Sequence, residues 1–253
     1  MELGFIPMSP PMSEDAKELG WLTIISSSRP KSFVLSALRR VKRLIREIIG
    51  SLFNLKNTES LYIGGVFCVQ EKFRHSDVGR KLLNACDEHS GGKNIGVNTD
   101  IHKVGPYMRR GVKIIETDWK SIEYETYTPV NPAVLSDELP SGVEIVAFQN
   151  SHLPAIHEYD YSLAGYERKS LIETSCKEEN SITLVAMKDG KCVGFGSIKL
   201  NIMELGRVGP LYADDPSVAE AMVKRLITAM PEAKGFATVT ISTNLSQTWY
   251  LRS

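Results

Sequence analysis

The chain has 253 residues, 42% of them hydrophobic and 24% charged, which suits an ordinary globular core in one or two domains. Lys plus Arg and Asp plus Glu each number 30, so no net charge draws the whole molecule to nucleic acid or to an anionic membrane. No apolar run approaches the roughly 20 residues of a membrane span, and the acidic start (Glu2, Glu14, Asp15) argues against a signal peptide. The four cysteines, Cys68, Cys86, Cys176 and Cys192, lie far apart without CxxC spacing. Buried free thiols in a reducing, cytoplasmic compartment are therefore expected.

In chain order, residues 1–13 are rich in Pro, Met and Ser and read as loose. Residues 14–20 read as a short helix between Ser13 and Gly20. Over 33–47 the apolar residues Phe33, Val34, Leu38, Val41, Leu44 and Ile45 fall on a helical stripe. The same stretch carries Arg39, Arg40, Lys42, Arg43 and Arg46. Such a helix either lies on an anionic surface or partner or, far more often, packs on its own domain with its charges in water. Strands are expected at 48–55 and 61–69, a helix at about 77–89 ended by Gly91-Gly92, a strand at 94–99 and a short helix at 102–110. Two strands follow, at 112–118 and 121–128. Pro129, Pro132 and Pro140-Ser141-Gly142 then mark a linker over 131–142.

Beyond it, a strand is expected at 143–149, helices within 153–176, and strands at 182–188 and 191–200 joined by Asp189-Gly190, a strong hairpin signal. A strand at 205–213, a helix opening at Pro216 and a strand at 238–243 complete the chain. Strand, charged turn, helix and strand thus recur at a spacing of about 120 residues.

The segment Val69-Gln-Glu-Lys-Phe-Arg74-His75-Ser76-Asp77-Val78-Gly79-Arg80-Lys81 follows an apolar strand and opens a helix. Strand, basic turn with glycine, then helix is an arrangement that receives a pyrophosphate. The first N–H groups and the positive end of the dipole face the anion, and glycine permits close approach. Arg74, Arg80 and Lys81 supply charge, and arginine pairs bidentately with phosphate. The bland reading of the same residues is a solvated helix start capped by Ser76.

This pattern resembles the GNAT superfamily of acyl-CoA N-acyltransferases. Val69, Arg74 and Gly79 match its cofactor motif, with Asp77 standing where the family has its first glycine. Tyr107-Met-Arg-Arg-Gly111-Val112 matches the family's Tyr before a helix–strand corner. Ala16-Lys-Glu-Leu-Gly-Trp21 resembles the opening of a subgroup with two GNAT-like halves. The second half resembles that subgroup's companion domain through Asp160 with Arg168, Val185 to Gly190, Val193 to Gly196 and Arg207 to Asp214.

The resemblance implies an α/β fold with a mixed, mostly antiparallel sheet flanked by helices, in two tandem GNAT-like domains. The first spans 1–130, the linker 131–142, and a divergent second domain 143–253. A close at Ser253 soon after a strand implies a shortened second domain. Residues 22–47 read as a basic helix where the family has a strand hairpin.

The implied activity is transfer of an acyl group from acetyl-CoA to a primary amine, either a small molecule or a protein lysine. The pantetheine arm would lie along backbone groups of Phe67 and Val69, and the phosphates on His75, Ser76, Val78 and their neighbours. Tyr107 would protonate the leaving thiolate. Asn98 or Asp100 would orient a water that deprotonates the amine. Arg168 or Tyr212 would line an acceptor cleft. His75, His89, His102, His152 and His157 show no metal or triad spacing, so no metal site is expected. The alternative is a catalytically degenerate GNAT-like protein that binds a ligand or partner. Asp77 favours it, because a carboxylate opposes a bound pyrophosphate. Oligomeric state and acceptor are not legible.

Overall fold

The computed structural model describes residues 19–25, 32–41, 45–99, 103–111 and 119–242. They fall into two units that divide between residues 113 and 114.

In the first unit, strands β1 (Leu19–Ile25), β2 (Ser32–Val41), β3 (Ile45–Lys56), β4 (Leu61–Val69) and β5 (Asn94–Val97) form one sheet in sequence order. All neighbours are antiparallel except β4 and β5. The crossover between that parallel pair is helix α1 (Val78–Ser90), which ends at Gly91 in the left-handed conformation, φ 58°. Val78, Leu82 and Cys86 are the buried stripe of α1. They meet Ile49 and Leu52 of β3, with Phe67, Val69, Phe73 and Ile95 packed around them. A short helix, α2 (Val104–Arg109), follows β5.

The helix expected over 33–47 is instead strands β2 and β3, and Leu19–Ile25 is a strand where a helix over 14–20 was expected. Residues 14–18 lie outside the described residues. An apolar run carries both periods at once, and here Val34, Val41, Ile45, Ile48 and Ile49 supply the β-branched content that favours the strand. Pairing on both edges then decides: β2 is bonded to β1 along one side and to β3 along the other. The basic amphipathic helix is thereby removed, and β1 and β2 form the strand pair that 22–47 was read as lacking.

The second unit has a six-stranded sheet of β6 (Ser121–Thr126), β7 (Val143–Ala147), β8 (Ser181–Lys188), β9 (Lys191–Leu200), β10 (Leu205–Ala213) and β11 (Gly235–Ile241). The order is β6-β11-β10-β9-β8-β7. Only β10 and β11 are parallel, and helix α5 (Pro216–Thr228) connects them. Helices α3 (Leu153–Ala164) and α4 (Lys169–Cys176) bury Ile156, Tyr159 and Ile172 against Val185 and Phe195. Val218 and Met222 of α5 pack on Ala186. Adjacent residues of a strand face opposite ways, so α5 covers one face of the sheet and α3 with α4 the other.

Strand β6 belongs to this second sheet, because it hydrogen-bonds β11 from Ser121↔Ile241 to Thr126↔Phe236. The proline-rich stretch after it is packed along α5. Lys224 Nζ donates to the Leu135 carbonyl at 2.7 Å, Arg225 pairs with Asp137 at 2.8 Å, and the Ser136 N–H donates to Glu220. Both units are α/β, with mixed, mostly antiparallel sheets flanked by helices. The strand expected at 112–118 lies outside the described residues.

Candidate cofactor and catalytic site

The turn from β4 into α1 is built by local bonds. Phe73 is drawn into the core, and Ser76 Oγ donates to the Phe73 carbonyl at 2.6 Å. Ser76 is thereby occupied and does not cap the helix. Asp77 holds the cap position but accepts no capping bond. Its carboxylate instead pairs with Arg80 at 2.5 Å. The first intrahelical bond of α1 runs from the Lys81 N–H to the Asp77 carbonyl. The N–H groups of Val78, Gly79 and Arg80 precede it and have no partner within the helix.

Gly79 sits directly on the end of β4. A Cβ there would come 3.3 Å from the Phe67 ring and 3.6 Å from Val69. The glycine therefore sets how closely the helix start approaches the strand. Arg74, His75, Arg80 and Lys81 are exposed around it, and Arg74 Nε reaches the Val69 carbonyl at 3.4 Å.

The strand beneath leaves its neighbour at the same end. Parallel pairing of β4 with β5 runs from Leu61↔Asn94 to Gly64↔Val97 and stops, while β4 continues to Val69. Just past that point Val66 has φ 49°, a costly conformation for a β-branched residue. Ser51 Oγ holds the Val66 carbonyl at 3.2 Å, where the β3–β4 register slips. On the β5 side, Gly65–Val69 has no strand partner among the described residues. Its backbone is an open edge that leads to the α1 N-terminus. Val66 and Ser51 escaped the sequence reading, since a valine gives no signal of a left-handed backbone.

Tyr107 lies in α2, half-buried. Burial raises its phenol above the ordinary tyrosine value, the nearby Cys86 thiol adds to this, and a hydrogen bond with Thr99 works the other way. The phenol therefore stays protonated at neutral pH. Asn98 is exposed just after β5, and Asp100 lies outside the described residues. Phe67, Val69, Ser76, Asp77, Val78, Gly79, Arg80 and Lys81 are thus gathered at one strand–helix junction. Phe67, Val69 and Val78 turn their side chains to the core and leave only backbone to a ligand.

The second unit repeats the layout with different chemistry. Parallel pairing of β10 with β11 ends at Val208↔Thr238, and β10 continues to Ala213. At the start of α5, however, Asp215 accepts from the Ser217 N–H at 2.8 Å and from Ser217 Oγ at 2.6 Å. The Ser217 hydroxyl, then its N–H, holds the Asp215 carboxyl below its ordinary range. Pro216 brings no N–H.

Beside this entry Tyr159 donates to Asp214 at 2.9 Å. Buried Asp160 takes a fork from Arg168, 2.9 Å to Nε and 2.8 Å to Nη2. Arg168 also reaches the Tyr212 hydroxyl at 3.4 Å and lies over its ring. Arg168 and His157 line a cleft of about 550 Å³ with Glu158, Tyr161, Tyr166 and Lys169. The His157 Nε2 is buried without a partner. Tyr212 braces Arg168 from behind rather than being among the cleft's lining residues.

No group of three or more potential metal ligands occurs among the described residues, and none of their helices is long and apolar enough to cross a membrane.

Residues 156–248 match the family model described as Acetyltransferase (GNAT) domain. The matched region lies in the second unit. No curated protein matches the chain. Among solved structures, the chain is similar to a putative acetyltransferase from Pyrococcus horikoshii, at 17% identity and TM-score 0.59, over 88% of this chain and 68% of that one. It is also similar to a tandem GNAT protein from the clavulanic acid biosynthesis pathway, at 12% identity and TM-score 0.57, over 87% and 78%. A third is a GCN5-related N-acetyltransferase from Sphaerobacter thermophilus, at 12% identity and TM-score 0.53, over 84% and 72%. At these identities the structures establish a shared fold, and with the matched domain they favour acyl transfer as the general class of chemistry.

Proposed function

We propose that the protein is an acyl-CoA-dependent N-acyltransferase, with acetyl-CoA the donor and a primary amine the acceptor, and that the cofactor is held by the first unit. The observation that carries this is the β4–α1 junction. An uncapped helix start, a glycine at contact distance from the strand, and four exposed basic side chains meet the open edge of β4. That combination suits a pyrophosphate followed by an extended amide-bearing arm.

Bound acyl-CoA supplies an activated thioester. The N–H groups of Val78 to Arg80, with Arg74, His75, Ser76, Arg80 and Lys81 around them, would hold its phosphates. The backbone at Phe67 and Val69 would align its arm. Tyr107, protonated at neutral pH, would give a proton to the leaving sulfur in a direct transfer. Asn98 and Asp100 are the candidates to order the water that takes the proton from the amine. A small amine and a protein lysine satisfy this chemistry equally. Four free cysteines suit a reducing, cytoplasmic setting.

The test is calorimetric titration with acetyl-CoA, followed by release of free thiol against a panel of primary amines. Binding near one molecule per chain and amine-dependent release are expected. With an active amine in hand, Tyr107→Phe lowers kcat about 10²–10⁴-fold and leaves acetyl-CoA affinity nearly unchanged; an unchanged kcat removes Tyr107 from the reaction.

Asp77 favours a second reading, a degenerate ligand-binding protein, because its carboxylate stands at the helix start beside Arg80. Absence of acetyl-CoA binding, or binding without turnover of any amine, would select it, and amine-dependent turnover would exclude it.

A further inference from the structure

Helix α2 has six residues and buries none of its side chains fully. A helix this short does not stand without tertiary support. Among the described residues, two of its contacts converge on one stretch of α1. Tyr107 lies near Cys86 and within hydrogen-bonding reach of Thr99, two residues past β5. Just past the C-terminus of α2, Arg110 Nη2 donates to Asp87 Oδ2 at 3.2 Å and to Asn84 Oδ1 at 3.4 Å. Asn84 and Asp87 are three apart on α1 and share a face. The Arg110 charge is also felt at the Cys86 thiol, which burial pushes up to about 11.

We propose that the Asp87–Arg110 ion pair is a clamp that seats α2 on α1 and thereby sets the Tyr107 hydroxyl against Thr99. Arg110 is then a positioning residue that acts through Tyr107. Its catalytic consequence rests on the role given to Tyr107 above, whereas the clamp itself does not. The pair is partly exposed, with Arg110 34% and Asp87 62% accessible. Its hold is therefore modest and weakens with salt. Asn84 adds a neutral acceptor that salt does not screen.

The decisive experiment follows the titration of Tyr107 by NMR with tyrosine labelled at Cζ, the resonance assigned by its loss in Tyr107→Phe. Arg110→Ala is expected to return that titration toward the value of an ordinary exposed tyrosine. The reversed pair Asp87→Arg with Arg110→Asp is expected to restore it. An unmoved titration in Arg110→Ala, or no recovery in the reversed pair, overturns the clamp.

Acetyl-CoA turnover is measured on the same variants. Where Tyr107→Phe lowers kcat, Arg110→Ala is expected to lower it up to about fivefold, the population shift an exposed ion pair can hold, with KM for acetyl-CoA unchanged. A raised KM with kcat intact would place Arg110 on the cofactor and overturn its positioning role. Where Tyr107→Phe leaves kcat unchanged, the general-acid reading fails, and the titration still decides the clamp.

Discussion

The two units enter their crossover helices in the same way and prepare that entry for opposite ends. In each, a strand runs past the last residue paired with its parallel neighbour and hands over to a 13-residue helix. At α1 the cap residue ignores the helix and pairs with Arg80, so the first N–H groups remain available and basic side chains surround them. At α5 the cap residue turns inward on Ser217, proline removes a further donor, and Asp214 is held by Tyr159. One layout therefore carries two different helix entries. The distinction lies in what the cap carboxylate is bonded to, and a sequence shows an aspartate in both places. The family match over 156–248 lies in the second unit, while the uncapped helix start with exposed basic side chains lies in the first.

The comparison breaks most visibly at Asp160. If the second entry is structural, Asp160→Ala strands the Arg168 guanidinium and lowers the stability of that unit by about 3 kcal/mol, toward the low end for a broken buried pair because Arg168 retains some access to water. Acetyl-CoA affinity should be unaffected. Denaturant unfolding beside a calorimetric titration reads both.

Arg74→Ala is the counterpart in the first unit. It should weaken acetyl-CoA binding by about 1.5–3 kcal/mol, the range for a charge-assisted contact, and barely change stability.

A smaller effect sharpens the role of the caps. Asp77→Gly removes a carboxylate from the helix start and releases Arg80, and should tighten acetyl-CoA about two- to fivefold. Asp215→Ala should leave the affinity where it was. Weaker binding by Asp77→Gly would mean that the phosphates lie elsewhere.

The smallest effect at working pH appears only in alkali. Burial, then the bond to Asp214, raises Tyr159 above its ordinary value. A raised folded pKa contributes stability that is complete below the unfolded value, about 10, and is lost as pH rises through the folded one. The Tyr159 contribution to the thermal midpoint of the second unit should thus hold to about pH 10 and fall above it. This comes on top of the earlier fall that the buried Cys176 and Cys192 thiols, raised to about 11, bring from about pH 9. Tyr159→Phe should blunt the fall above about pH 10.

Much of this was legible in the residues. Leu61–Val69 is a strand as read, and the helix expected at 77–89 spans Val78–Ser90 with Gly91 as its stop. Asp189 and Gly190 both take positive φ, as a two-residue hairpin turn demands. The basic residues from Arg74 to Lys81 lie at the β4–α1 junction. Other features depend on neighbours that sequence does not reveal. The run at 33–47 carries a helical stripe and β-branched residues together, and only pairing on both edges settles it. Val66 takes a left-handed backbone that no propensity announces. Ser76 reads as a cap and bonds Phe73 instead. Asp215 takes the Ser217 N–H, a bond that an aspartate before a proline does not by itself announce.

The most direct test of the central claim is the map of backbone amide shifts on titrating coenzyme A into the full chain. Shifts concentrated at Ser76 to Lys81 and along Phe67 to Val69, with Ser217 to Ala219 unmoved, are the expected result. Shifts at the start of α5 with α1 silent would contradict it.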